Sequence, residues 1–500
     1  MKARVLLPLF LAFQLVCVGI VSPAPDAITE ARGRATTQAQ NSPEVAERIR
    51  RVENGLLPSV VIKSQPVAGM KLADRMRFYK TPGVSIAIIN NGAIEWANGY
   101  GVREAGGSNP VTTETLFQAA SISKPVAAVG ALRLVDKSKL NLDEDSNRKL
   151  VSWKVPDNEF TKEKKVTLRG LLSHSAGLTV HGFAGYAADA TAPTLLQVLN
   201  GQTPANSAAI RVDTIPGAKW RYSGGGFTIL QQLIIDITRR PFPEFMRETV
   251  LRPTGMTHST YEQPLPQSLW EQAAAGHQPD GGVVKGKWHV YPEMAAAGLW
   301  TTPSDLARFV IELQKSKAGK SNKVLSQQTT GQMLTPQIEG WGLGLAVEGT
   351  GRAARFSHGG ANEGFRCQFI AYTETGQGAV VMTNSDNGGQ LAREILIGIA
   401  KEYGWPEYAP KEKVLASVDP KILDAYAGQY EVAPGINLIV TKEGDHLIGA
   451  AGGRRIELFP ESEDKFFAVT TDLQIQFVRD DKAGVTHLLI DGKTRAKKLK

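Results

Sequence analysis

Cysteine is nearly absent: the 500-residue chain has two, Cys17 and Cys367. Cys17 lies in an uncharged N-terminal run, so a chain that loses this run keeps one thiol and forms no internal disulfide. The eight histidines contain no His-x-x-x-His pair, and one thiol cannot build a zinc site. No metal and no cofactor are expected. A Gly-x-Ser-x-Gly elbow is also missing, which argues against an α/β-hydrolase. Gly281 to Lys287 imitates a P-loop, but Trp288 stands where magnesium binding needs Ser or Thr. Gly349-Thr350-Gly351 has strand-like flanks and reads as a hairpin turn. The chain has no fixed-period repeat. Its formal net charge of +8 is thin for this length. No basic run carries interleaved aromatics, and the Lys493 to Lys500 tail reads as a solvated end, so nucleic acid is not an expected partner. Long apolar runs are missing except at the start, where Lys2 and Arg4 precede an uncharged stretch through Ala24. That pattern is a secretory signal peptide, predicting a secreted or periplasmic protein, or one anchored at its N-terminus if the leader is kept.

What remains is ordinary globular material, 42% hydrophobic and 21% charged. Residues 25–65 read as an N-terminal extension with a helical pattern from Pro43 to Leu57. A compact unit, 66–408, opens with a helix-like run and the hairpin Gly83 to Tyr100 around Asn91-Gly92. Helical patterns follow at Val126–Val135, Leu168–Leu172, Thr228–Ile237 and Ser304–Gln314. Strands return at Gly342–Val347, Phe365–Tyr372 and Ala379–Thr383, and a helix at Gln390–Tyr403 ends the unit. Strands at both ends predict one sheet completed by distant segments. Residues 409–419 read as a linker. Five short strand runs beyond it predict a small all-β barrel or sandwich over 420–500.

Three segments carry chemistry. Ser121-Ile122-Ser123-Lys124 is a Ser-x-x-Lys pattern, whose helical spacing puts hydroxyl and amine on one face. Pro125 places Ser121 at or beside the N-terminus of a buried helix, where free N–H groups favour an oxyanion. A serine hydroxyl needs a base in reach, and Lys124 is placed to take its proton. An N-cap serine followed by a surface lysine has the same pattern. Tyr222-Ser223-Gly224 opens a Gly-rich helix entry, with Tyr222 as a second base or as a packing tyrosine. His358-Gly359-Gly360-Ala361 reads as a strand edge that can present main-chain groups to a substrate, with His358 as a pH-sensitive donor, or as a tight turn. His174 in Ser173-His174-Ser175 reads as a structural hydrogen-bonder.

These segments, with Leu171 to Leu178 and Gly298 to Leu306, together resemble the serine β-lactamase and penicillin-binding protein family in its class C-like branch, which includes esterases and D-peptidases. The resemblance implies an α/β (α+β) fold: an antiparallel sheet flanked by helices plus an all-helical lobe. It implies Ser121 as acylated nucleophile, Lys124 as its activating partner and Tyr222 as the base for leaving-group and water protons. Backbone N–H groups of Ser121 and Ala361 would form the oxyanion hole, and His358, Gly359 and Gly360 would line the substrate. The C-terminal part resembles the lipocalin-like barrel appended to such hydrolases, its partner unnamed. Two departures stand out. Gly224 replaces the usual Asn, and His358 replaces a Lys, leaving a cation only partly charged at neutral pH. The expected activity is cleavage of an ester or amide, β-lactams and D-amino-acid peptides included, in a small-molecule or peptide substrate. The alternative is a non-catalytic penicillin-binding or sensor protein using the same pocket and the C-terminal domain.

Overall fold

The structure, a computed structural model, describes residues 42–499 apart from 64, 434, 445, 452–453, 471–472 and 481–483. The leader expected at 1–24 lies outside the described residues. The predicted hairpin forms: Gly83–Asn90 pairs antiparallel with Ala93–Gly101. Asn91 and Gly92 take φ of 51° and 70°, which a tight type I′ connection requires. Four later strands complete a six-stranded sheet in the order Ala93–Gly101, Gly83–Asn90, Gly378–Thr383, Phe365–Tyr372, Arg355–Asn362, Ala346–Glu348. Every neighbouring pair is antiparallel.

Alternation along the strands gives the sheet two buried faces. Ala87, Ile89, Val380 and Met382 join the core beneath the helices Ser123–Asp136 and Pro303–Lys317. Ile86, Ile88, Ala379 and Val381 join the opposite core under the helix Gly388–Tyr403. One residue of register slip would exchange the two sets, so these apolar strands are pinned by their neighbours. Between the sheet's halves, the chain builds the helical lobe, whose central helix Gly224–Thr238 is buried from Gly224 through Ile234.

The described part of the expected N-terminal extension is built into the fold. The helix Pro43–Glu53 is capped by Ser42, whose hydroxyl accepts the Val45 N–H at 3.1 Å. Its Val45, Ile49 and Val52, at helical spacing, bury against the Gly388–Tyr403 side of the sheet. Val60–Ile62 then pairs in parallel with Lys411–Lys413, a strand inside the segment expected as a linker.

Beyond it, eight antiparallel strands close into a barrel, the first (Gly428–Ala433) pairing with the last (Thr494–Lys498). Its interior is filled by side chains: Tyr426 stacks on Phe477 at 4.0 Å, over buried Tyr430, Leu447 and Phe466. Phe467 on the barrel wall packs on Val60 and Ile62, which seats the barrel on the two-stranded ribbon.

Candidate active site

Ser121 lies in a single 3₁₀ turn, Ala120–Ile122, that runs directly into the helix Ser123–Asp136. Ala120 adopts φ +50°, a costly left-handed conformation for a residue with a Cβ, held beside the serine by the surrounding packing. Lys124 is 2% exposed. Its Nζ lies 2.9 Å from Ser121 Oγ and donates to the Ala296 carbonyl at 2.8 Å. The spacing of three thus places amine and hydroxyl in contact. Ala296 belongs to the short helix Met294–Ala297; its contribution is a main-chain oxygen, which no side-chain motif announces.

Tyr222 comes from the other side, just before the helix Gly224–Thr238. Lys124 Nζ sits 5.0 Å from its ring centroid, and the His174 ring lies 4.2 Å away. His174 is buried, and its Nδ1 accepts the Ser223 N–H at 3.1 Å. Burial, with Lys124 nearby, pushes its pKa well below the ordinary value. His174 thus fixes Tyr222 by packing its ring, tilted by 32°, on the tyrosine ring and by binding the next residue's backbone. Trp220, from the short aromatic run that the sequence shows before Gly224, and Trp341 flank the same rings at 5.6 Å from each other; Trp341 did not stand out in the sequence.

Gly224 has a steric reason. A Cβ there would meet the Phe183 ring at 3.0 Å and the His181 carbonyl at 3.1 Å. The Gly224 and Gly225 N–H groups donate to His181 and Val180 carbonyls, so the 179–183 loop packs tightly against this position and crowds any Cβ there.

The strand Arg355–Asn362 delivers the third segment. Ala346–Glu348 pairs only with its Arg355–Ser357, so among the described residues 358–361 have no partner strand on that edge. Gly360 allows the approach to Ser121's turn: an added Cβ would stand 2.3 Å from the Ala119 carbonyl and 2.5 Å from Cys367 Sγ. Cys367 is buried, its thiol directed at the Ala119 carbonyl at 3.0 Å and its pKa pushed up to about 12 by desolvation. It is structural, as its apolar strand implies. His358 is 5% exposed, and desolvation, then Lys124, pulls its pKa down to about 3. The expected partial cation is therefore a neutral imidazole here. Its Nδ1 lies 2.6 Å from the Gly359 carbonyl, which can only accept, so Nδ1 carries the proton. Nε2 is left with a buried lone pair and no partner among the described residues.

Ser121, Lys124, Tyr222, His358, Gly359, Gly360 and Ala361 all line one cavity of about 660 Å³. Gly224 stands behind it. Among the described residues no cluster of His, Cys, Asp or Glu could hold a metal ion, and no helix is long and apolar enough to cross a membrane. One buried acid went unnoticed in the sequence: Glu293, at the entry to the helix Met294–Ala297 whose Ala296 carbonyl accepts from Lys124, has its pKa raised to about 7 by desolvation.

The beta-lactamase family profile matches residues 71–402, and a domain of unknown function, DUF3471, matches 412–499. A penicillin-binding protein of Bacillus subtilis (strain 168) is 23% identical over 446 residues, 81% of this chain and 92% of that one. The octameric penicillin-binding protein homologue from Pyrococcus abyssi shares the fold with a TM-score of 0.58, at 24% identity, over 85% of this chain and 98% of that one. The D-amino acid amidase from Ochrobactrum anthropi does so with a TM-score of 0.54, at 20% identity, over 72% and 99%. The matched profile spans both ends of the six-stranded sheet and every residue of the cavity, and the chain belongs to the beta-lactamase family.

Proposed function

We propose that the protein is an exported serine hydrolase that cleaves an ester or amide through an acyl-Ser121 intermediate. The contact between buried Lys124 and Ser121 Oγ carries this reading, because a buried amine at a serine hydroxyl is an activation device. Ser121 Oγ attacks the substrate carbonyl while its proton passes to the Lys124–Tyr222 pair. The carbonyl oxygen, now negative, is held by the N–H groups of Ser121 and Ala361. Collapse breaks the bond to the leaving group, which takes a proton from Tyr222. Water, deprotonated by the same tyrosine, then releases the acid and restores Ser121. The capture-only alternative would use the same Lys124 contact for acylation and would differ in lacking turnover.

The substrate's recognition groups differ from those implied by a Lys at position 358. His358 offers a lone pair in place of a cation, so it suits a substrate N–H or O–H and gives a carboxylate no charge partner. Gly224 offers no side-chain amide. Neutral esters and amides are favoured over β-lactams, whose carboxylate has no charged partner at His358. A relative described as a D-amino acid amidase supports amide cleavage as one member of this class. The test is hydrolysis of 4-nitrophenyl acetate by Ser121→Ala and Tyr222→Phe. Loss of burst and turnover in the first, and at least a hundredfold lower kcat in a folded second, are expected. Unchanged turnover in Ser121→Ala would end the assignment.

A further inference from the structure

A second cavity, of about 570 Å³, shares no lining residue with the catalytic one. It is built by the loop 103–109, by Ala188 and Asp189, by residues 270–275 and by the turn 285–288. Two tryptophans form its apolar part. Trp288 is buried and is backed by Trp300 at 5.3 Å between ring centroids. Trp270 meets Trp288 edge-to-face at 5.9 Å and remains 49% exposed. Its Nε1–H donates to the Leu265 carbonyl at 3.0 Å, so the half-open indole is held in place instead of turning away from water.

Arg103 supplies the polar part. Its Nε is buried, and its guanidinium makes no hydrogen bond or ion pair with a described residue. The other cations of the lining have partners: Lys285 pairs with Asp189 at 2.8 Å and Lys287 with Glu104 at 2.7 Å. A charged donor taken from water without an acceptor is costly, whereas the same fork opposite a carboxylate makes two parallel charge-assisted bonds. We infer that this cavity is a binding site for a small aromatic carboxylate, with the carboxylate on Arg103 and the ring on Trp270 and Trp288. The volume falls within the roughly 300–1,000 Å³ of ligand-sized sites, and a fixed indole suits another ring, stacked or edge-on. Glu271, next to Trp270, is exposed and has no ion pair among the described residues. An aromatic amino acid, which carries an ammonium beside its carboxylate, offers it a counter-charge. The inference does not depend on the acyl-Ser121 reading.

Isothermal titration calorimetry of the full chain with 3-phenylpropionate, its amide, 3-cyclohexylpropionate and phenylalanine tests it. One molecule of 3-phenylpropionate or phenylalanine per chain is expected to bind, at least tenfold more tightly than the amide and the cyclohexyl acid. Arg103→Met and Trp270→Ala should each weaken that binding at least tenfold. The Arg103 side chain makes no bond that the fold needs, so Arg103→Met should keep the wild-type thermal midpoint. Arg103→Lys, which keeps the charge and loses the fork, should weaken binding at least threefold. Phenylalanine binding more tightly than 3-phenylpropionate, with the difference lost in Glu271→Gln, identifies an amino acid as the ligand. The reverse order identifies an acid without the ammonium. No saturable binding of either compound, equal binding of the amide, or undiminished binding in Arg103→Met would overturn the inference. Turnover of a short ester by wild type and Ser121→Ala is read separately, so failure of the acyl-serine reading and failure of this site are told apart.

Discussion

Gly360→Ala should disable the site through geometry alone. Gly360 has no positive φ, so alanine is conformationally allowed and only its Cβ matters. That atom would stand 2.3 Å from the Ala119 carbonyl and 2.5 Å from Cys367 Sγ, where ordinary contact begins near 3.4 Å. About 1 Å of separation must be opened between the strand carrying Ala361 and the turn carrying Ser121. One of the two neighbours is backbone, so the strain is set at the upper end of the roughly 1–3 kcal/mol typical of overpacking. The same displacement moves one proposed oxyanion donor relative to the nucleophile, and a misplacement of about 1 Å costs on the order of 10²-fold in rate. Thermal unfolding and kcat/KM on a short ester read both effects. Gly359→Ala is the matched control for stability: its Cβ meets nothing closer than 3.8 Å, so a change within about 0.5 kcal/mol is expected. A Gly360→Ala enzyme with the wild-type midpoint and kcat/KM would refute the close-approach argument.

Acid should destabilise the protein before its carboxylates titrate. His174, His277 and His358 are buried with lowered pKa values, desolvation being the largest cause in each. Unfolded histidines bind protons below about 6.5 while these do not, so stability falls as pH drops through 6.5, by up to about 1.4 kcal/mol per pH unit for each. For His358 the loss continues to about pH 3. Urea midpoints across pH 7 to 4 check this; a flat profile contradicts it. Glu293→Gln should act with the opposite sign. The raised pKa of about 7 means that stability is lost as pH rises from the unfolded value near 4.5 to 7, by up to about 3 kcal/mol. The variant should therefore gain on wild type at pH 8 and not at pH 4.5, in paired melts; no difference between the two pH values would remove Glu293 as a buried acid.

The Ser121–Lys124 contact of the candidate site was legible because its spacing is local. Ser121 and Lys124 three apart, Pro125 in the first turn and the Asn91-Gly92 hairpin each follow from backbone rules that need no tertiary context. Parts of the site supplied by the main chain or by shape were not legible: the Ala296 carbonyl, the 179–183 loop that crowds Gly224, and Trp341 in the wall it forms with Trp220. His358's neutrality could not be read either, since it depends on burial and on Lys124. In the barrel, five strands of regular alternation were found, but Gly428–Ala433, His446–Ala451 and Thr494–Lys498 were missed. The strand His446–Ala451 is rich in small residues. The strand Thr494–Lys498 reads as a charged tail, although Ala496 belongs to the barrel core and the strand closes the barrel by pairing with Gly428–Ala433. The helix Pro43–Glu53 showed its amphipathic pattern, while its docking partner, more than three hundred residues later, left no local signal.

The central claim is that Ser121 is the nucleophile. Reaction with a fluorophosphonate, followed by intact-mass measurement and peptide mapping, tests it most directly. One adduct per chain located on Ser121, absent from Ser121→Ala and slowed in Lys124→Met, is the predicted result. An adduct at another residue, or equal labelling of Ser121→Ala, would contradict it.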